Sequence, residues 1–143
     1  MQQSSPLSSV DAQDSSRVSG LRSNQEWLLL CKSQPNVLIE GEECRVEETI
    51  IALTPHLKPL ARFWSPDSPL EVSVVQAGTV TLRGVEQLSI EDQERLMFWL
   101  RGTDPESVQV ISTTNVNLYQ KVCQGLFRRD LYYYLNTVRL DLR

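Results

Sequence analysis

The chain has 143 residues, 41% of them apolar and 22% charged, the make-up of an ordinary globular protein with room for one domain and a real interior. Its net charge of −4 argues against a broad electrostatic hold on nucleic acid, which needs clustered Lys and Arg to displace counterions. Three widely spaced cysteines (Cys31, Cys44, Cys123), one histidine (His56) and only short apolar runs leave no credible zinc site, disulfide framework or bilayer span.

Residues 1–22, rich in Ser, Gln and Asp, bury too little apolar surface to offset their ordering entropy and are expected to form a disordered leader. They lack the basic region and apolar core of a signal peptide, so reduced thiols in a cytoplasm fit best. The folded domain is expected over 23–143. It opens with a capping-box pattern, Ser23-x-x-Glu26, ahead of a short helix that stops before Pro35. Asn36 to Gly41 is a compact apolar run suited to a buried parallel strand. Arg45 to about Leu53 has helical spacing, limited by Pro55. The stretch 55–69 holds four of the seven prolines and is expected to be mostly loop, with Trp64 folded back on the core.

Leu70 to Gln76 and Thr79 to Leu82 are β-branched segments separated by Ala77-Gly78 and read as strands. Ser89 caps a helix in which Ile90, Gln93, Leu96, Met97 and Leu100 share a face. Val108 to Ile111 is another strand, Leu118 to about Gln124 a helix, and Thr137 to Leu142 a last strand. Strands alternating with helices imply an open, largely parallel α/β sheet.

The segment Gly125-Leu126-Phe127-Arg128-Arg129-Asp130-Leu131-Tyr132-Tyr133-Tyr134-Leu135-Asn136 closely resembles the G-x-F-R-x-D-L-Y-Y-R-L-N segment of the bacterial sigma-54-dependent transcription activators. Four upstream blocks agree in order. Val110 to Leu118 resembles the family's V-R-I-I-A-A-T-N-R-D-L strand and turn. Gly78 to Leu82, followed by Leu88 to Leu100, resembles its G-T-L-F-L strand and E-L-P-L-x-x-Q-x-x-L-L-x-x-L helix. Val37 to Glu42 resembles its V-L-I-x-G-E approach to the phosphate loop. The resemblance implies a reduced AAA+-like core of the P-loop NTPase type.

At the positions that carry the family's chemistry, the residues differ. Where the resemblance implies G-E-S-G-T-G-K-E, the chain reads Gly41-Glu42-Glu43-Cys44-Arg45-Val46-Glu47-Glu48. Glycines there let backbone N–H groups wrap phosphates, and the lysine pairs with them. Val46 disfavours the positive φ open to Gly. A carboxylate at Glu47, about 4 Å from a phosphate oxygen, costs roughly 4 kcal/mol at an effective dielectric near 20. The family's magnesium-binding Asp-Glu is replaced by Arg83-Gly84, which offers neither a metal ligand nor a base. Asn115 matches the family's γ-phosphate sensor, or is simply a turn former at the strand end. Arg128 matches the first of two arginines that act across a subunit boundary, or is a surface charge at a helix start. Tyr134 stands at the second.

These substitutions imply a pseudo-ATPase: a non-catalytic interaction or regulatory module that takes no cofactor and no metal. Its expected associations are with itself or with an intact activator. The alternatives are an ATP-binding sigma-54-dependent regulator domain and a remnant without a selected role. Nothing resembles the sigma-54 contact loop G-A-F-T-G-A, the helical lid or a DNA-binding helix-turn-helix. Lys→Glu at 47 and Asp→Arg at 83 invert both charges that flank one nucleotide, so Glu47 and Arg83 are expected to pair across the phosphate position. Two unrelated losses would leave them apart. The acid run Glu40, Glu42, Glu43, Glu47, Glu48 lacks calcium-loop spacing and reads as a solvated face. His56 reads as solvent-facing, and Tyr132 to Tyr134 as packing residues rather than base-stacking ones.

Overall fold

A computed structural model describes residue 30 and residues 32–142. The leader over 1–22 and most of the first expected helix lie outside these residues. Leu30, Lys32 and Ser33 are helical, and Gln34 N–H donates to Leu30 O at 3.1 Å.

Among the described residues five strands form one sheet: β1 (Val37–Glu40), β2 (Leu60–Trp64), β3 (Gly78–Arg83), β4 (Val108–Thr114) and β5 (Val138–Asp141). They lie in the order β2-β3-β4-β1-β5, and every pairing is parallel. The helices are α1 (Glu43–Leu53), α2 (Ile90–Arg101), α3 (Leu118–Cys123) and α4 (Arg129–Leu135). One face of the sheet buries Leu38, Val80, Leu82 and Val110 against residues of α2, α3 and α4. The other buries Val37, Ile39, Ile111 and Leu140 against α1 and Leu30. Central strands covered on both faces need near-continuous apolar or compact side chains, and all seven residues of β4 are buried.

Two expectations over 55–76 are corrected. Leu60–Trp64 is a strand rather than loop. It is an edge strand with a single ladder to β3, so it tolerates mostly exposed residues and flanking prolines (Pro59, Pro66) that a central strand would not. Trp64 does seat in the core, 4% exposed, as the last residue of that strand, with its Nε1–H donating to Ser68 O. Residues 70–76 form no strand. Val75 N–H donates to Val72 O in a turn, and both valines plug the core beside Trp99, whose Nε1–H reaches Val75 O. The β-branched run is used for packing, not for a ladder.

Helix α2 begins as expected, with Ser89 Oγ accepting from Asp92 N–H. Gln93, Leu96, Met97 and Leu100 face inward. Ile90, expected on that face, is 50% exposed. The last strand covers 138–141 inside the expected 137–142. Among the described residues no helix is long and apolar enough to cross a membrane.

Candidate functional site

Parallel α/β sheets gather ligands at the carboxyl ends of their strands. Here a pocket of about 230 Å³ opens at the ends of β1, β3 and β4, lined among others by Gly41, Glu43, Val46, Glu47, Arg83, Gly84, Thr114 and Asn115. The fold therefore brings together Gly41, Glu47, Arg83, Gly84 and Asn115 from three separate stretches of sequence. Glu42 and Glu48 do not line the pocket and are exposed.

Glu47 Oε2 and Arg83 Nη1 form an ion pair across this pocket. The two expected partners thus meet, from α1 on one side and the end of β3 on the other. Arg83 also stacks its guanidinium over Phe63, 5.4 Å from the ring centroid.

The chain between β1 and α1 is only Gly41-Glu42. Helix α1 has already begun at Glu43, so Cys44 to Glu48 are helical and Val46 N–H donates to Glu42 O at 2.9 Å. No wide loop of outward N–H groups is formed there. Glu42, the N-cap residue, makes no side-chain cap bond. Gly41 has its own structural reason: a Cβ at this position would lie 2.8 Å from Leu142 Cβ, closer than carbon atoms approach without a bond. Gly84 adopts φ +66°, a left-handed turn that favours glycine, and leads directly into a 3-10 turn over Val85–Gln87. From that turn Glu86 Oε1 accepts from Thr114 Oγ1–H at 2.6 Å. Asn115 follows in an exposed bend after β4.

Arg128 lies away from this pocket, at the N-cap of α4. Its guanidinium grips Asp130 in a fork, with Nε to Oδ1 at 3.0 Å and Nη2 to Oδ2 at 2.9 Å, and reaches Glu94 at 3.5 Å. Asp130 also accepts from Arg101 Nη2 at 2.9 Å and from Leu131 N–H. The hydrogen bonds from Arg128 are the main cause that holds the Asp130 carboxyl well below its usual value, at about 2. Tyr134 does not project as a second cation would. Its hydroxyl donates to Leu100 O at 3.2 Å.

Two residues matter more than their place in the pattern indicates. Gln93, with no exposed surface, donates through Nε2 to Leu88 O and Leu126 O and accepts from Arg128 N–H at 2.8 Å. It fastens α2 to the segment that leads into α4. Glu40, also fully buried, accepts from Arg139 Nε at 2.8 Å and from Leu118 N–H at 3.1 Å. A carboxylate ending an apolar strand was the available signal for Glu40; for Gln93 it was the amide on an otherwise apolar helix face.

This architecture is that of the P-loop NTPase AAA+ class. NtrX from Brucella abortus in complex with ATP superposes with a TM-score of 0.65 at 17% identity, over 95% of this chain and 36% of that one. The P-loop NTPase domain of the sigma-54 transport activator from E. coli gives a TM-score of 0.57 at 18% identity, over 78% and 99% of the two chains. The model of the sigma-54 interaction domain family matches residues 51–143, and the chain belongs to that family. It is 36% identical over 77 aligned positions to the DNA-binding transcriptional regulator NtrC of Rhizobium meliloti, covering 47% of this chain and 16% of that protein. Similarity to the HTH-type transcriptional regulatory protein TyrR of Citrobacter braakii is 39% over 75 positions, 46% of this chain and 15% of that one. The chain thus spans about a sixth of the length of these curated relatives.

Proposed function

We propose that this chain is a non-catalytic module of the sigma-54 interaction type, a pseudo-ATPase that regulates by association in the bacterial cytoplasm. The observation that carries the reading is the Glu47–Arg83 ion pair spanning the pocket. A nucleotide phosphate entering there would meet Glu47 and would have to break the pair. Two further features support it. Helix α1 starts two residues after β1, so the N–H groups of its interior are committed to helix bonds. Arg83 and Gly84 supply no oxygen side chain for magnesium and no base for water. At the positions matched to the family's phosphate lysine and magnesium acids, Glu47, Arg83 and Gly84 do not fit ATP–magnesium.

The partner in this reading is a second copy or an intact activator, met through the surface around Arg128. The Arg128–Asp130 fork, braced by Arg101 and Glu94, presents a fixed patch of charge suited to an interface. A second reading, an ATP-binding regulator domain, is favoured by one feature: the pocket persists, with Asn115 on its wall.

Isothermal titration with ATP–magnesium decides between them. The expected result is no heat of binding, and micromolar affinity would overturn the proposal. Sedimentation of the chain mixed with an intact activator tests the regulatory half: a faster co-sedimenting species is expected, and independent migration at all ratios counts against it.

A further inference from the structure

We propose that the cleft between residues 70–76 and the second half of α2 binds a medium-chain monocarboxylate, with the carboxylate on Arg95. The cleft has a volume of about 560 Å³, within the range of small-molecule sites. It shares no lining residue with the pocket at the strand ends. Leu70, Val72 and Val75 form one wall. Arg95, Phe98 and Trp99 of α2, with Gly102 at its end, form the other at helical spacing. Two helical turns separate Arg95 from Gly102, a rise of about 10 Å.

The cleft suits an apolar ligand with one anionic end for three reasons. Among the described residues Phe98 is the most exposed large apolar side chain, at 82%. A ring left in water at the mouth of an apolar cleft gains free energy when a ligand covers it. Gly102 lies at φ −94° and ψ −1°, ordinary helical backbone, and a Cβ there would touch Trp99 O at 3.7 Å and Phe98 O at 3.8 Å, normal contacts. Neither backbone nor packing demands this glycine; its missing side chain leaves room in the cleft. Arg95 Nη1 donates to Asp92 Oδ1 at 3.1 Å, and among the described residues its other guanidinium N–H groups meet no acceptor. The Arg95 side chain is 70% exposed, so the pair with Asp92 holds it weakly. Its free donors can take a carboxylate in charge-assisted hydrogen bonds.

The far end of the cleft limits the ligand to one charge. Asp104 lines it beyond Gly102, and its oxygens accept from Glu106 N–H at 3.0 Å and Ser107 Oγ–H at 3.2 Å. Held in that turn, Asp104 opposes a second anionic group without offering itself as an anchor. Thr103 Oγ1, on the same stretch of wall, already donates to Leu100 O at 3.0 Å. An apolar channel about 10 Å long fits an unbranched chain of about eight carbons with an uncharged tail. Neither the Glu47–Arg83 pair nor the Arg128 surface takes part, so binding here is independent of the proposed function.

Isothermal titration of the full chain with octanoate tests it, with amide shifts recorded by NMR to locate the ligand. The expected dissociation constant is on the order of 100 μM, as suits a ligand this small, with shifts at residues 70–76 and 95–104. Octan-1-ol lacks the anion and suberate carries one at each end, so each should bind at least about tenfold more weakly. Arg95→Gln, an exposed change, should weaken octanoate about tenfold and leave octan-1-ol unaffected. Gly102→Leu should abolish binding of both while circular dichroism stays unchanged. Three results overturn the proposal: no heat or shifts up to about 5 mM octanoate, shifts centred on the strand-end pocket, or suberate or octan-1-ol binding as tightly as octanoate. Full octanoate affinity in folded Arg95→Gln overturns it as well.

Discussion

At the scale of single residues, Asp130 shows how a half-exposed carboxylate can anchor a helix start. It accepts from Arg128, Arg101 and Leu131 N–H, and its titration lies at about 2 instead of the ordinary 3.8. A carboxyl whose folded value is depressed contributes its stability above the unfolded value and loses it as pH falls through the folded one. The contribution is therefore present above pH 3.8 and fades towards pH 2. With the Asp130 side chain 37% exposed, solvent screening keeps it below about 1 kcal/mol. Urea midpoints measured across that window should fall less steeply in Asp130→Asn than in the parent chain. Gln93 carries higher stakes because it is fully buried and serves three backbone groups. Gln93→Leu fills the same volume but orphans Arg128 N–H, Leu88 O and Leu126 O. We expect a loss of about 2–4 kcal/mol in urea unfolding.

At the scale of elements, Glu40 joins three of them: it ends β1, receives Arg139 of β5 and receives the first N–H of α3. The two halves of this pair are unequal, since Glu40 is fully buried while Arg139 is partly exposed. Arg139→Met strands a buried carboxylate and should cost about 3–5 kcal/mol. Glu40→Gln keeps an acceptor for Leu118 N–H and leaves Arg139 with access to water, so it should cost about 1–2 kcal/mol. Equal costs in thermal or urea unfolding would contradict this ordering.

The elements also show what was legible in the sequence. The Ser89 cap and the β4 run express local rules: α2 starts where its cap placed it, and β4 starts at Val108 as expected but runs three residues past Ile111, to Thr114. Residues 60–64 and 70–76 exchanged roles because their fates are set by tertiary context. A parallel edge strand can be exposed and bounded by prolines, while Val72 and Val75 gain more from burial beside Trp99 than from a ladder. At the candidate site, the Glu47–Arg83 contact was readable because inverted charges at two matched positions imply a shared location. The early start of α1 was not readable, because helix boundaries follow from packing of Val46, Thr49 and Leu53 rather than from any single capping residue.

At the scale of the whole molecule, two apolar clusters on opposite faces of one sheet make a single cooperative body. Anything that binds only the folded form should raise its melting temperature. A ligand present at a hundred times its Kd adds about 2.7 kcal/mol, a shift of several degrees for a domain this size. We expect ATP–magnesium at about 1 mM to leave the thermal midpoint unchanged to within a degree. A rise of several degrees would contradict the proposed function. Membership of the sigma-54 interaction domain family, over 51–143, describes the body; the pocket residues describe what it does with it.

Gly41 separates these two kinds of inheritance. Its missing side chain makes room for Leu142, whose Cβ would otherwise be 2.8 Å from a Cβ at 41. The glycine that leads towards a phosphate loop is thus demanded by the joint between the first and last strands, whether or not any phosphate ever arrives. A chain released from nucleotide chemistry would keep this glycine while its neighbours drift. Part of a nucleotide-binding signature can therefore outlive the nucleotide, preserved by carpentry instead of catalysis.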